Sequence, residues 1–272
     1  MIGIIGSGTM GKGIAIEFAR FGNKVVLLSA QRHLKAKDLE FEVDNVSKRY
    51  DDINIADIHS NIILTRDFED LKECDFIIEA VAEDLETKRN SLKNAILFLK
   101  KETIFASNTS SLSIKDIFSD LVNLENVCGL HFFNPVHIMK LVELSYLDET
   151  SDKTLTKAKE LALSIEKEVI MVKNSTGFIV NRLLIPMINE AAKIVEEGIA
   201  SIEDIDKAMK FGANHPIGPL KLSDLIGNDI TLMILNSLKD KLDIKISSKM
   251  EEIVKENKLG RKTKEGFYLY RK

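Results

Sequence analysis

The glycine-rich segment near the start of the chain is the feature that most constrains its fold. A short β-branched run, Ile2-Gly3-Ile4-Ile5, leads directly into Gly6-Ser7-Gly8-Thr9-Met10-Gly11. Apolar residues then recur with the spacing of one helix face, at Ile14, Ala15, Phe18 and Ala19. A strand, a glycine turn and a helix in this order are typical of the first unit of a dinucleotide-binding fold.

Each glycine of the turn has a physical role in that interpretation. Gly6 permits the tight turn, Gly8 lets the backbone approach a pyrophosphate, and Gly11 lets the helix pack closely on the strand. The N-terminus of the helix then receives the negative charge of the phosphates. We therefore predict cofactor contacts from Gly6, Ser7, Gly8, Thr9, Met10 and Gly11.

The end of the second predicted strand, at residues 25–28, bears on the choice between NAD and NADP. An Asp or Glu that holds the ribose hydroxyls of NAD is typical about 20 residues after the turn. This chain has Ser29 there, followed by Arg32 and Lys35, and a hydroxyl with a nearby guanidinium can hydrogen-bond the 2′-phosphate of NADP. In the alternative interpretation, Arg32 and Lys35 are solvated charges and the cofactor is NAD. Both NAD(H) and NADP(H) stay open as cofactors.

The rest of the N-terminal half alternates strand-like and helical patterns. Apolar runs at residues 75–81 and 103–107 flank a helical pattern at residues 85–99. This alternation predicts an α/β fold with a Rossmann-like, mostly parallel sheet whose faces are covered by helices. Ligands in such sheets bind beyond the carboxyl ends of the strands. Polar residues follow those ends and are expected to converge on one crevice: Glu83, Asn108, Ser110 and His131.

A histidine and a carboxylate are the predicted chemical centre of that crevice. His131 lies in the apolar run 127–133, and a second apolar run, at residues 141–144, carries Glu143. If the two runs are neighbouring strands, a bend at Asn134-Pro135 brings Glu143 back beside His131. A histidine oriented by a carboxylate moves a proton near neutral pH. The alternative is a buried histidine with a structural partner.

The pattern changes to helical periodicity in the last part of the chain. A final strand is predicted at residues 168–173, followed by a helix at 178–197 in which Pro186 causes a kink or a restart. We expect a dinucleotide-binding domain at residues 1–176 and an all-α domain at 177–272. The apolar content of the second domain favours a homodimer, with burial against the first domain as the alternative. Its further predicted helices lie at residues 202–211, 226–242 and 249–258.

Composition narrows the classes of function. The 272 residues carry a net charge of −4, so no basic surplus is available for nucleic acid. No apolar run approaches the about 18 residues that span a membrane, and no cationic start of a secretory signal is present. Cys74 and Cys128 adjoin apolar runs, which favours a reducing, cytoplasmic location, and no metal-ligand cluster is expected.

Over nearly its whole length the chain resembles the 3-hydroxyacyl-CoA dehydrogenase family, in particular its stand-alone bacterial members that act on 3-hydroxybutyryl-CoA. The resemblance implies a reversible hydride transfer between a nicotinamide and C3 of a 3-hydroxyacyl-CoA, with acetoacetyl-CoA as an expected substrate. Both butanoate and fatty-acid metabolism use this chemistry. The motifs that carry the resemblance occur in the family's order, at residues 6–11, 107–112, 131–135, 140–143, 177–182, 212–216, 218–219, 259–263 and 266–268.

The resemblance also implies catalytic roles. His131 would exchange the proton of the 3-hydroxyl, and Glu143 would orient its ring. Ser110 and Asn181 would hydrogen-bond the substrate's oxygens, and because Asn181 begins the helical domain, the implied site lies between the domains. In the alternative interpretation, Ser110 caps a helix and Asn181 is a surface amide.

Ligand-binding residues follow from the same resemblance. The family's cofactor contacts fall on Ser110 again and on Glu83, Asn108, Asn134 and Lys262, while Lys88 lies near both ligands. Lys48 and Arg49 stand in the region that contacts CoA in the family, which is shorter in this chain. Lys262 has the alternative of a solvated charge near the chain end.

Two other functions stay open at this point. One is a sugar-acid dehydrogenase of the same fold with a similar His–Glu pair. The other is a nucleotide-binding subunit without turnover. The joint presence of His131, Glu143, Ser110 and Asn181 argues against the second.

Overall fold

The structure, a computed structural model, describes residues 1–29, 36–50 and 54–270. The chain divides into two compact units, Met1–Ser175 and Thr176–Lys272. The first unit is a sheet covered by helices, and the second is built from helices. The predicted fold class, a Rossmann-like, mostly parallel sheet followed by an all-α part, is confirmed.

The sheet of the first unit reverses its direction once. Its strands are β1 (Ile2–Ile5), β2 (Val25–Leu28), β3 (Ile62–Thr65), β4 (Phe76–Glu79), β5 (Ile104–Ser107), β6 (Val127–Phe132), β7 (Leu141–Tyr146) and β8 (Glu168–Lys173). They lie in the order β3-β2-β1-β4-β5-β6-β7-β8. Neighbours are parallel except for β6 and β7, which are antiparallel. The carboxyl ends of the first six strands therefore share one edge of the sheet.

Two apolar cores cover the two faces of this sheet, because alternate side chains of a strand point to opposite faces. One core contains Ile4 and Ile78 with Phe18 of the first helix. The other contains Ile5 and Ile77. The covering helices are α1 (Thr9–Arg20), α2 (Ala36–Ser47), α3 (Ile55–Asn61), α4 (Leu85–Ile96), α5 (Ile114–Phe118) and α6 (Asp152–Leu163), with short 3₁₀ turns at Phe68–Leu71 and Leu124–Asn126.

The second unit packs its helices around one apolar cluster, which includes Ile188, Leu220, Leu235 and Met250. Its elements are α7 (Val180–Glu196), α8 (Ile202–Gly212), α9 (Pro219–Ile226), α10 (Asn228–Leu242), α11 (Ser248–Lys255) and a 3₁₀ turn at Arg261–Thr263. Within the described ranges, no helix is both long enough and apolar enough to cross a membrane.

The second unit departs from the expected helices, which do not include α9. Helix α7 continues through Pro186, so a restart at this proline is wrong. Buried Ile185 and Ile188 lie on either side of the proline, and their packing offsets the backbone hydrogen bond that proline lacks. The helix expected from residue 226 begins at Asn228, because Gly227, with a φ of 108°, separates it from α9.

Candidate active site

The turn between β1 and α1 has a geometry that requires glycine. Gly6 has a φ of 110°, and a Cβ atom there would lie 2.6 Å from the carbonyl oxygen of Ala80. A Cβ atom on Gly11 would lie 1.8 Å from the carbonyl oxygen of Gly6. Gly8, the N-cap of α1, borders open space. Since Gly8 has no side chain to cap the first amides of α1, these amides can receive an anion, and the turn fits a dinucleotide pyrophosphate.

Ser29 connects the end of β2 to this turn. Its hydroxyl oxygen lies 2.7 Å from the hydroxyl oxygen of Ser7, and both side chains are buried. The position where a carboxylate is typical therefore holds a neutral hydroxyl pair. Arg32 and Lys35, which the sequence suggests for a 2′-phosphate, lie outside the described residues.

His131 and Glu143 are directly opposed residues of β6 and β7. Nδ1 of His131 lies 2.7 Å from Oε2 of Glu143, and both side chains are buried. The ring of Phe133 packs against the imidazole, with the ring centroids 4.5 Å apart. The carboxylate on Nδ1 orients the ring and selects its tautomer, so Nε2 is the nitrogen suited to exchange a proton with a substrate.

Glu83, which follows β4, holds the turn that follows β5. Its Oε1 accepts hydrogen bonds from the hydroxyls of Thr109 (2.7 Å), Ser110 (3.1 Å) and Ser111 (3.0 Å). The backbone N–H groups of Ser110 and Ser111 donate to the same oxygen at 2.8 and 2.9 Å. Burial raises the pKa of Glu83, but the charge of Lys88 and the hydrogen bonds outweigh burial and lower this pKa to about 2. Glu83 is therefore an ionised anchor for Ser110.

Lys88 lies fully buried between two carboxylates. Its Nζ is 2.9 and 3.0 Å from the two carboxylate oxygens of Glu79 and 3.3 Å from Oε2 of Glu83. Glu79 also accepts hydrogen bonds from the hydroxyl of Ser107 (2.6 Å) and the backbone N–H of Val81 (2.7 Å). The sequence gives no sign of this role for Glu79, since one acidic residue in an apolar run resembles an ordinary strand end.

Asn108 joins the turn after β5 to the strand that carries His131. Its side-chain oxygen accepts a hydrogen bond of 2.9 Å from the backbone N–H of Phe132. Ser110 is not the cap of α5, because the N-cap of that helix is Ser113. β1, β4, β5 and β6 are neighbours in the sheet. The glycine turn, Glu83, Asn108, Ser110 and His131 therefore lie along one edge, where parallel sheets bind ligands.

The remaining predicted residues are at other positions. Lys48 and Arg49 follow α2 and are exposed, and Asn134 is exposed in the loop after β6. In the second unit, Asn181 is in the first turn of α7 and is half-buried. Lys262 forms an ion pair with Asp229, with its Nζ 2.6 Å from both carboxylate oxygens, and 45% of its side chain is exposed.

Family models match nearly the whole chain. Residues 1–175 match the NAD binding domain of 3-hydroxyacyl-CoA dehydrogenase, and residues 177–270 match its C-terminal domain. The chain belongs to the 3-hydroxyacyl-CoA dehydrogenase family. The family predicted from the motifs is thus confirmed. As a member, the chain is an oxidoreductase for CH–OH groups with a nicotinamide-binding domain, whereas the roles of its individual residues stay predictions.

Individual relatives match this chain along 90% or more of their own length. The chain is 46% identical to the 3-hydroxybutyryl-CoA dehydrogenase of Clostridioides difficile, covering 100% of this chain and 99% of the relative. It is 38% identical to the human mitochondrial hydroxyacyl-coenzyme A dehydrogenase, covering 98% and 90% of the two chains. The crystal structure of (S)-3-hydroxybutyryl-CoA dehydrogenase from Ralstonia eutropha matches with a TM-score of 0.93 and 39% identity, covering 100% and 99%.

Proposed function

We propose that this protein is a 3-hydroxybutyryl-CoA dehydrogenase that interconverts a short-chain 3-hydroxyacyl-CoA and the 3-oxoacyl-CoA. The observation that carries the proposal is the buried His131–Glu143 pair on the sheet edge that also holds the glycine turn. The names of the full-length relatives from Clostridioides difficile and Ralstonia eutropha support the substrate class. When bound, the nicotinamide cofactor supplies or accepts the hydride.

His131 is the acid–base group in this proposal. During oxidation its Nε2 takes the proton of the 3-hydroxyl, and during reduction it returns that proton to the oxygen at C3. Glu143, 2.7 Å from Nδ1, stabilises the imidazolium that forms, because opposite charges attract strongly in a buried site.

Ser110 and Asn181 are the proposed partners of the substrate's oxygens. The hydroxyl of Ser110 makes the longest of the hydrogen bonds to Oε1 of Glu83, at 3.1 Å, and can rotate to a substrate oxygen while the 2.8 Å bond from its backbone N–H remains. The side-chain amide of Asn181, in the second unit, is proposed as a donor to a substrate oxygen. Such donors stabilise the charge that develops on a carbonyl oxygen when it accepts hydride.

For the cofactor, we propose a nicotinamide dinucleotide, either NAD(H) or NADP(H). The neutral Ser7–Ser29 hydroxyl pair can hydrogen-bond a ribose hydroxyl and does not repel a 2′-phosphate. The other proposed cofactor contacts are Glu83, Lys88, Asn108, Asn134 and Lys262. Lys48 and Arg49 are exposed cations that suit the phosphates of CoA.

We also propose a cytoplasmic homodimer that forms through the second unit. Large apolar side chains of this unit are exposed, among them Leu183 (70%), Ile199 (67%) and Phe211 (81%). Exposed apolar surface of this kind is typical of protein interfaces.

The test follows nicotinamide absorbance during turnover. Acetoacetyl-CoA is supplied with NADH and NADPH in parallel, and sugar acids are supplied with NAD⁺ and NADP⁺. We expect turnover with acetoacetyl-CoA and none with sugar acids. The proposal is wrong if neither reduced cofactor is oxidised by acetoacetyl-CoA, and turnover of a sugar acid alone would establish the alternative dehydrogenase.

A further inference from the structure

We propose that Glu79, at the end of β4, is a positioning residue that holds Ser110 in place through Lys88 and Glu83. Glu79 is 0% exposed and Lys88 is 1% exposed, so their ion pair lies inside the first unit. The expected effect of Glu79 on turnover rests on the proposed function. The expected effect of Glu79 on the position of Ser110 depends only on the contacts of Glu79.

One route from Glu79 to Ser110 is electrostatic. Both carboxylate oxygens of Glu79 bind Nζ of Lys88, and Lys88 lies 3.3 Å from Oε2 of Glu83. Glu83 uses its other oxygen, Oε1, to hold the backbone N–H and the hydroxyl of Ser110. Glu79 thus fixes the ammonium of Lys88 beside Oε2 of Glu83. Oε1 of Glu83 then remains available to bind the turn.

A second route runs through hydroxyl groups. The hydroxyl of Ser107 donates to Glu79 at 2.6 Å, and the backbone N–H of Thr109 donates to the oxygen of Ser107 at 3.2 Å. Both routes therefore end on the same turn, at Thr109 and at Ser110. Glu79, which is fully buried, thus controls the position of the hydroxyl that we assign to the substrate.

Loss of the Glu79 charge has a defined consequence. Lys88 would keep Glu83 as its remaining carboxylate partner in this network, and a buried ammonium draws its counter-charge closer. Glu83 would then turn from the Thr109–Ser111 backbone toward Lys88. The turn would lose its anchor, and Ser110 would leave the position from which it reaches the substrate.

The first test compares Glu79→Gln with Glu79→Asp. Gln keeps the size of the side chain and removes the charge, whereas Asp keeps the charge and shortens the side chain. We expect kcat for acetoacetyl-CoA to fall about 10- to 100-fold in Glu79→Gln and by less in Glu79→Asp, because misplacing a positioning group costs about this much. The control Glu86→Gln removes an exposed charge from α4 and should keep the wild-type kcat. A larger loss in Glu79→Asp than in Glu79→Gln would indicate packing alone and overturn the proposal.

The second test needs no turnover. The amides of Ser110 and Ser111 donate to Glu83, so hydrogen exchange of the segment 109–112 reports directly on the anchor. We expect about tenfold faster exchange of this segment in Glu79→Gln and wild-type exchange in Glu86→Gln. Unchanged exchange in Glu79→Gln would overturn the positioning role even in an active enzyme. If the wild-type protein did not turn over acetoacetyl-CoA, the proposed function would be refuted. The exchange measurement would still test the positioning role of Glu79.

A paired variant covers the case in which Glu79→Gln does not fold. The double variant Glu79→Gln/Lys88→Met removes both charges, so no unpaired charge is left between them. We expect it to fold and to exchange residues 109–112 at close to the wild-type rate, because no ammonium remains to draw Glu83 from the turn. Fast exchange in the folded double variant would contradict the proposal.

Discussion

Nδ1 of His131 lies 2.7 Å from Oε2 of Glu143 across the antiparallel strands β6 and β7. The single reversal in the sheet produces this pair. β6 runs parallel to β5, so His131 lies near the carboxyl end of its strand, at the edge where ligands bind in parallel sheets. β7 returns from that edge, and its third residue, Glu143, lies opposite His131. In a fully parallel sheet, two residues this close in sequence would not lie opposite each other on neighbouring strands.

Replacing His131 by Gln should abolish most turnover and spare cofactor binding. We expect kcat for acetoacetyl-CoA reduction to fall by about three orders of magnitude, because the proton donor is lost. The affinity for NADH should stay near the wild-type value, since the glycine turn is unchanged. Steady-state kinetics and a fluorescence titration with NADH measure the two quantities. A collapse of NADH binding would remove support for the acid–base role.

Replacing Ser29 by Asp should shift the cofactor preference toward NADH. A carboxylate at the end of β2 repels the 2′-phosphate of NADPH, and like charges at a binding site cost several kcal/mol. We expect the ratio of kcat/KM for NADH to kcat/KM for NADPH to rise at least about tenfold. Ser29→Thr, which keeps the hydroxyl, is the matched control. An unchanged ratio in Ser29→Asp would contradict the proposed position of the 2′-phosphate.

Ionised Glu83 should stabilise the folded protein, and this contribution to the free energy of unfolding should be lost in acid. Its pKa is about 2 in the folded protein, below the ordinary value of 4.5, so the fold favours the ionised form. The stabilisation is complete above about pH 4.5 and is lost as the pH falls toward 2. A shift of this size corresponds to roughly 3 kcal/mol.

Urea unfolding of the wild type and of Glu83→Gln at a series of pH values tests this contribution. The free energy of unfolding of Glu83→Gln should decrease less on acidification below about pH 4.5. The same decrease in both proteins would mean that Glu83 is not the group responsible.

A second buried ion pair should stabilise the loop that follows His131. Nζ of Lys167 lies 2.7 Å from Oε1 of Glu17 and 2.6 Å from the carbonyl oxygen of Val136. We expect Lys167→Met to lower the free energy of unfolding by about 3 kcal/mol, because it leaves a buried carboxylate with fewer partners. Lys173→Met, which breaks an exposed pair with Asp148, should lower the free energy of unfolding much less, because solvent screens exposed charges. If urea unfolding showed equal losses of unfolding free energy in Lys167→Met and Lys173→Met, this prediction would be contradicted.

Local sequence patterns suffice to predict the fold class. The strand, glycine turn and helix at residues 2–20 are contiguous, so composition and spacing alone identify them. His131 and Glu143 are also close in sequence, and a single bend brings them together. Helix α9, which begins at Pro219, is missing from the helices expected from the sequence, because the prolines and the glycine at residues 216–219 resemble a rigid turn, although Pro219 fits the first turn of a helix.

The network around Glu79 could not be predicted in this way. Glu79 ends an apolar strand and Lys88 lies on a helix with many charged residues, so neither pattern indicates burial. Their ion pair depends on how α4 packs on the sheet, which is a tertiary property. The Ser7–Ser29 contact likewise joins the ends of two strands that only the parallel pairing of β1 and β2 brings together.

The fate of the transferred hydrogen shows whether the protein moves a hydride between the nicotinamide and C3 of the substrate. The wild-type protein is incubated with acetoacetyl-CoA and, in parallel samples, with NADH or NADPH that carries deuterium at the transferable position of C4, and the products are analysed by mass spectrometry. With the cofactor that is oxidised, we expect 3-hydroxybutyryl-CoA with one deuterium at C3. Oxidation of the cofactor without deuterium at C3, or no 3-hydroxybutyryl-CoA at all, would contradict this expectation.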